Sequence, residues 1–128
     1  MEKPCVLACV TGQRSCERYI RAGAELSGAI GGTLSVVHVA ARGARFMGDD
    51  DEGAVLEHLF QISKQHDADM MVFKADDVVD GLAAYSQTKG VTHIVIGAAR
   101  AGRDVARELQ RRLPGVAFTV LTGTEAGT

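Results

Sequence analysis

Two short segments of the sequence combine small residues with cationic or hydrogen-bonding side chains. The first runs from Thr11 to Ser15 and the second from Gly97 to Arg103. Each follows an apolar run and precedes a segment with helical periodicity, so each would lie beside the free N–H groups of a helix start. Helix starts favour anions, and guanidinium groups suit phosphate. The two segments therefore predict a site for a phosphate-bearing ligand.

The candidate binding residues come from these two segments and from the end of the second apolar run. They are Thr11, Gly12, Gln13, Arg14, Ser15, Val39, Gly97, Arg100, Gly102 and Arg103. The alternative is structural, because tight strand-to-helix turns use glycine and surface arginines are ordinary. Loop composition alone does not decide between these two interpretations.

Catalytic and metal-binding patterns are absent from the sequence, and we predict neither a catalytic residue nor a metal ligand. The four histidines are scattered: His38 and His93 lie in apolar runs, where packing in the core is expected, and His58 and His66 are predicted on helix surfaces. An acidic run at residues 49–52 precedes a helical segment and is interpreted as a helix start, where carboxylates are favoured.

An enzyme such as a nucleotide hydrolase would need an acid or base near the loops. Asp76 and Asp77 are the only candidates, and capping of the following helix explains Asp77 better. Cys16 has two interpretations. At a helix start close to Arg14 and Arg18 its thiolate would be favoured, whereas its place in the helical stripe favours simple burial.

The elements that must position these segments alternate along the chain. Strands are predicted at 5–10, 33–39, 68–75, 92–96 and 116–121, with a helix in each interval and a long loop at 40–53. Nearly continuous apolar strands between amphipathic helices predict a three-layer α/β sandwich with a parallel five-stranded sheet. Two strand orders fit, 3-2-1-4-5 and 2-1-3-4-5, and the first brings the turn after Val10 beside the loop after Ile96.

Length and charge bound the function. The 128 residues fit one domain, with residues 123–128 expected to be a frayed tail. The formal net charge of -2 gives no general attraction to nucleic acid or to an anionic membrane. Because no apolar run approaches the ~20 residues of a membrane helix, and no signal-peptide core is evident, a cytoplasmic protein is expected.

Three stretches carry a more specific resemblance: Ser15 to Ala22 (SCERYIRA), the helix start Asp77-Val78-Val79, and Gly90 to Gly97 (GVTHIVIG). With the surrounding pattern they resemble the universal stress protein family, most closely the universal-stress-type domain of potassium-sensor histidine kinases. The resemblance implies the 3-2-1-4-5 half-Rossmann sheet of adenine nucleotide alpha hydrolase-like proteins. It also implies dimers and, in many members, an adenine nucleotide between strands one and four.

The sequence departs from the family pattern at the phosphate loop. Thr11 stands where nucleotide-binding members have an acidic residue, and Arg100 stands where the second glycine of G-x₂-G would fall. No Gly-Ser or Gly-Thr follows before Pro114, so the segment that would wrap a triphosphate is missing. ATP, AMP and a cyclic dinucleotide are the candidate ligands, with a smaller or differently held ligand, or none, favoured over the usual triphosphate.

Two functions follow from these observations. The first is a stress-related sensing module that binds an adenine nucleotide without turning it over. The second is a regulatory interaction protein that has lost its ligand and acts as a homodimer through the last strand, 116–121, an exposed sheet edge.

Overall fold

Strands and helices alternate along the chain in a computed structural model that describes residues 3–10, 16–41, 52–98 and 104–121. Within these ranges the strands are β1 (Cys5–Cys9), β2 (Thr33–Ala41), β3 (Asp69–Ala75), β4 (His93–Gly97) and β5 (Ala117–Leu121). The helices are α1 (Glu17–Ile30), α2 (Glu52–Gln65), α3 (Val78–Lys89) and α4 (Val105–Arg112). The predicted alternation is confirmed.

The five strands form one parallel sheet in the order β3-β2-β1-β4-β5. Helices α1 and α2 cover one face, and α3 and α4 cover the other, so that each face has its own apolar core. The predicted three-layer sandwich and the order 3-2-1-4-5 are confirmed, and the order 2-1-3-4-5 is wrong. From β1 the first three strands are added toward one edge of the sheet, and β4 and β5 are added on the other side of β1.

Burial distinguishes the central strands from the outer ones. All five residues of β1 are buried, as a strand covered on both faces requires. The outer strands are different: in β3 the side chains of Met71 and Val72 are 50% and 38% exposed, and in β5 Val120 is 41% exposed. The apolar residues of these two strands are therefore not all buried. Two helices per face cover the middle of the sheet and leave its edges open.

Helix ends follow local capping chemistry. The Asp77 carboxylate accepts the Asp80 N–H at 3.0 Å and begins α3, as predicted. Helices α1 and α3 end at Gly31 and Gly90, whose φ angles of 71° and 70° are disfavoured for residues with a Cβ. Helix α1 begins with Cys16 in the cap position and without a capping hydrogen bond from its side chain.

The predicted loop at 40–53 is shorter in the structure. β2 extends to Ala41, and α2 begins at Glu52, the last residue of the acidic run. The other three acids of that run, at 49–51, lie outside the described residues. On α2 the side chain of Phe60 is 42% exposed. None of the helices in the described ranges combines the length and apolarity needed to cross a bilayer.

Candidate functional site

The switch point of the strand order lies between β1 and β4 at the carboxyl edge of the sheet, and we call the space between these two strand ends the crevice. Pairing between these two strands ends at Ala8 and Val95. β1 stays paired with β2 through Cys9, and β4 stays paired with β5 through Gly97. The two central strands therefore part from each other before they leave their outer neighbours. Ligands of open α/β sheets bind in such a crevice.

Hydrogen bonds attach each side of the crevice to its outer neighbouring strand. On the β1 side the Val10 N–H donates to the Val37 carbonyl at 2.9 Å, and Nδ1 of His38 donates to the Val10 carbonyl at 3.0 Å. On the β4 side the Ala98 N–H donates to the Leu121 carbonyl at 2.7 Å. Because a carbonyl only accepts, Nδ1 of His38 carries the proton. His38 is buried, as predicted, and it fixes the end of β1.

Tyr19 lies on the β4 side of the crevice. A Cβ added to Gly97 would be 2.9 Å from Cζ and 3.2 Å from Cε2 of Tyr19, with the hydroxyl closer still. Since a Cβ at position 97 would lie this close to the far end of the Tyr19 side chain, a larger residue there would require the phenol to shift. The guanidinium of Arg18 lies 5.2 Å from the centroid of the same ring, within the range of a cation–π contact.

The first turn of α1 is tied to α2 by a hydrogen bond between side chains. Nε2 of His58 donates to Oε2 of Glu17 at 2.8 Å, and Arg21 donates to the other carboxylate oxygen. The hydrogen bond from His58, with a further contribution from Arg21, lowers the pKa of Glu17 below its ordinary value. His58 is therefore not a simple surface residue as predicted, because it links two helices.

Helix α4 begins with its own carboxylate. Oδ1 of Asp104 accepts the Arg107 N–H at 3.1 Å, and the Asp104 carbonyl accepts the Glu108 N–H at 3.1 Å. The side-chain bond occupies a donor that an anion would otherwise use, and the negative charge repels one. The Asp104 carboxylate therefore already occupies part of the helix start that follows β4.

Two of the predicted binding residues fall within the described ranges. Gly97 lines the crevice beneath Tyr19. Val39 is 9% exposed and packs in the core between the sheet and α3, where a Cβ on Gly81 would be 3.2 Å from its Cγ1. The others lie outside the described residues: Thr11, Gly12, Gln13, Arg14, Ser15, Arg100, Gly102 and Arg103.

The cysteines and His93 are buried or hydrogen-bonded within the fold. Cys16 is 2% exposed and packs in the core beneath α1, which favours the interpretation of simple burial. Burial raises the pKa of the Cys9 thiol to about 12, so this thiol is unreactive. His93 is half-buried, and Nδ1 pairs with the Thr92 hydroxyl at 2.8 Å, so it is not the core histidine predicted. No group of three metal-binding side chains occurs among the described residues.

Two clefts lined by described residues occur away from the crevice. One, of about 310 Å³, lies between α4 and β5 and is lined by Ala98, Asp104, Arg107 and Val120 among others. The other, of about 400 Å³, lies at the amino edge of the sheet and has both lysines and aspartates in its wall. Neither lies at the carboxyl edge between β1 and β4, where the strand order predicts a ligand.

Comparison with solved structures identifies the fold. A universal stress protein in complex with cAMP aligns with a TM-score of 0.69 and 16% identity, covering 94% of this chain and 98% of that one. The chain has the universal stress protein fold. The universal stress protein from Archaeoglobus fulgidus in complex with dAMP aligns with a TM-score of 0.62 and 23% identity, covering 94% and 96%. No protein-family model matches the sequence, and comparison with curated proteins gives no match either.

Proposed function

We propose that this chain is a regulatory module of the universal stress protein family that binds an adenine nucleotide in the β1–β4 crevice without turning it over. The observation that carries the proposal is the early end of β1–β4 pairing, which leaves an opening between two strand ends. Two proteins of the same fold were solved with cAMP and dAMP, which supports an adenine nucleotide. The sequence resemblance to a domain of potassium-sensor histidine kinases supports a role in stress signalling.

The Asp104 carboxylate at the start of α4 favours a nucleotide with few phosphates. In the resemblance described above, a glycine-rich loop after the fourth strand would wrap a triphosphate, and that loop is shortened here. The Asp104 carboxylate adds negative charge at the same helix start. A mononucleotide such as AMP or a cyclic nucleotide has fewer phosphates to hold, so we expect it to bind in preference to ATP.

Calorimetric titration with AMP, cAMP, dAMP, a cyclic dinucleotide and ATP tests this function. We expect saturable heat with at least one mononucleotide and weaker binding of ATP. Arg100→Ala examines whether the second predicted segment takes part, and Arg111→Ala, an exposed change in the last turn of α4, is its matched control. The absence of heat with all five ligands would contradict the proposal.

A second candidate function is dimerisation through the last strand. Within the described residues β5 pairs only with β4, so its outer edge is open, and Ala117, Thr119 and Val120 are exposed along it. An open edge of this kind can pair with its copy in another chain. A homodimer built in this way would place the two crevices of the pair on one continuous sheet.

Sedimentation velocity distinguishes the two edges of the sheet. Val120→Lys places a charge on the β5 edge, and Met71→Lys does the same on the β3 edge, where the side chain is 50% exposed. We expect the first variant to shift a dimer toward monomer and the second to leave it unchanged. A monomeric parent protein at high concentration would contradict this function.

A further inference from the structure

Tyr19 reaches the crevice because of its place in α1. It is the third residue of the helix, and helical side chains tilt toward the helix N-terminus. The N-terminus of α1 follows β1 and so lies at the carboxyl edge of the sheet. A side chain as long as tyrosine, placed in this first turn, therefore packs against the core on the α1 face and reaches the carboxyl end of β4.

Gly97 shows where the phenol ends. The Tyr19 ring and hydroxyl occupy the space that any Cβ at position 97 would need. Gly97 is the last residue of β4 and is the point at which this strand has already separated from β1. The phenol thus covers backbone at the β4 wall of the crevice, and a ligand in the opening meets the tyrosine in place of a bare glycine.

The chemistry around the ring favours an anion. The Arg18 guanidinium lies near the ring, 5.2 Å from its centroid, and the Tyr19 hydroxyl is a hydrogen-bond donor at the wall. The nearby Glu17 carboxylate is held by His58 and Arg21, so its charge is countered on the α2 side. A hydroxyl donor on a ring that also contacts a cation is suited to a phosphate oxygen.

We propose that Tyr19 is a ligand-contacting residue of this site, whose hydroxyl donates a hydrogen bond to the phosphate of a bound adenine mononucleotide. The inference rests on the proposed function, since it places the phosphate of that nucleotide. It also assigns the role of Gly97, which allows the phenol to reach the phosphate rather than binding the phosphate through its own backbone.

The composition of the chain makes Tyr19 a spectroscopic reporter. The protein has two tyrosines and no tryptophan, so Tyr85→Phe leaves Tyr19 as the only strong emitter, and Tyr19→Phe leaves Tyr85. Tyr85 lies in α3 on the other face of the sheet and packs on Phe73, 5.8 Å between ring centroids. Titrating both variants with AMP subjects them to the same nucleotide absorbance, so a difference between them isolates the contact.

The expected result is a saturable change in Tyr19 emission with AMP and no comparable change in Tyr85 emission. In calorimetry, Tyr19→Phe should weaken AMP binding about tenfold, the cost of losing a hydrogen bond to a charged group. It should leave adenosine binding unchanged, because adenosine has no phosphate, and Tyr85→Phe should bind AMP like the parent. Circular dichroism checks that both variants are folded.

Four outcomes would overturn the inference. If AMP releases heat but Tyr19→Phe binds it as the parent does and Tyr19 emission stays constant, the nucleotide does not contact Tyr19, and the proposed function survives. Equal emission changes in both variants, or equal losses for AMP and adenosine, would also exclude a specific phosphate contact. If no adenine nucleotide binds the parent protein, the inference fails together with the proposed function.

Discussion

The two helices that follow the central strands begin in different ways. Helix α4 starts at Asp104, whose carboxylate accepts a hydrogen bond from its own first turn. Helix α1 starts at Cys16, which makes no side-chain cap, and the nearby Glu17 carboxylate bonds to His58 and Arg21. One helix start neutralises its positive end with a residue of its own. At the other, the local carboxylate is engaged with α2.

This difference assigns unequal roles to the two sides of the crevice. A helix start favours an anion, and an acidic cap removes part of that preference. The α1 side also provides the Tyr19 hydroxyl and the Arg18 guanidinium. We therefore infer that a ligand phosphate lies toward α1 and that α4 mainly completes the fold.

The largest expected effect is that of Gly97→Ala, which breaks the contact between the two sides. The new methyl group would overlap the Tyr19 phenol, so we expect a loss of about 1–3 kcal/mol in the free energy of unfolding, as overpacking typically costs. Urea denaturation measures this loss. Gly28→Ala, at an open position in α1, is the control and should be neutral or slightly stabilising.

A double variant identifies the cause of the loss at position 97. If the phenol is responsible, Gly97→Ala should cost much less in a Tyr19→Ala background than in the parent. An equal cost in both backgrounds would contradict the packing described here.

The next largest effect is expected from removing the acidic cap of α4. Asp104→Ala removes the cap and should lower the free energy of unfolding by about 1 kcal/mol. Asp77→Ala, which removes the equivalent cap of α3 away from β4, is the matched control for stability. Both variants should bind AMP as the parent does. A loss of AMP affinity in Asp104→Ala alone would place the phosphate at α4.

A smaller effect concerns the link between α1 and α2. Glu17→Gln should lower the stability at neutral pH by about 0.5–1.5 kcal/mol, the range for one hydrogen bond. The folded pKa of Glu17 lies below its ordinary value of 4.5, so its contribution is complete above that value and is lost as the pH falls through the folded pKa. Urea titrations across this range should show the parent and the variant converging in acid. A difference that stays constant with pH would contradict the link.

The smallest effect is expected from the cysteines that flank the first loop. Cys9 and Cys16 are 7% and 2% exposed, so iodoacetamide should leave both unmodified in the folded protein at neutral pH. Mass spectrometry of the labelled peptides checks this. Labelling of Cys16 at the rate of a free cysteine would restore the reactive interpretation.

The fold was largely predictable from the sequence, but the strand order was not predictable from periodicity alone. Alternating apolar strands and amphipathic helices indicate a parallel three-layer sandwich, and both common orders satisfy that pattern. Which strands pair depends on contacts far apart in sequence, such as Ala8 with Val95. The resemblance carried by the stretches around Tyr19 and Ile94 indicated the right order. The exposure of β3 and β5 follows only once that order is known.

The candidate site was less predictable. Gly97 was selected from the sequence as a glycine near phosphate, whereas in the structure it makes room for Tyr19. No local signal could assign that pairing, because Tyr19 simply continues the apolar stripe of α1. Asp104 had a recognisable signal, since an aspartate directly before a helical segment is a preferred cap. The hydrogen bond between Glu17 and His58 joins two helices that are far apart in sequence, so no local sequence pattern in either helix predicts it.

A nuclear magnetic resonance titration of the backbone amides with AMP tests the unequal roles of the two helix starts most directly. The largest shifts should fall in the first turn of α1, from Cys16 to Tyr19, and at Gly97, while Arg107 and Glu108 in α4 stay unchanged. Shifts confined to the start of α4, or no shifts in either helix, would contradict the placement of the nucleotide on the α1 side of the crevice.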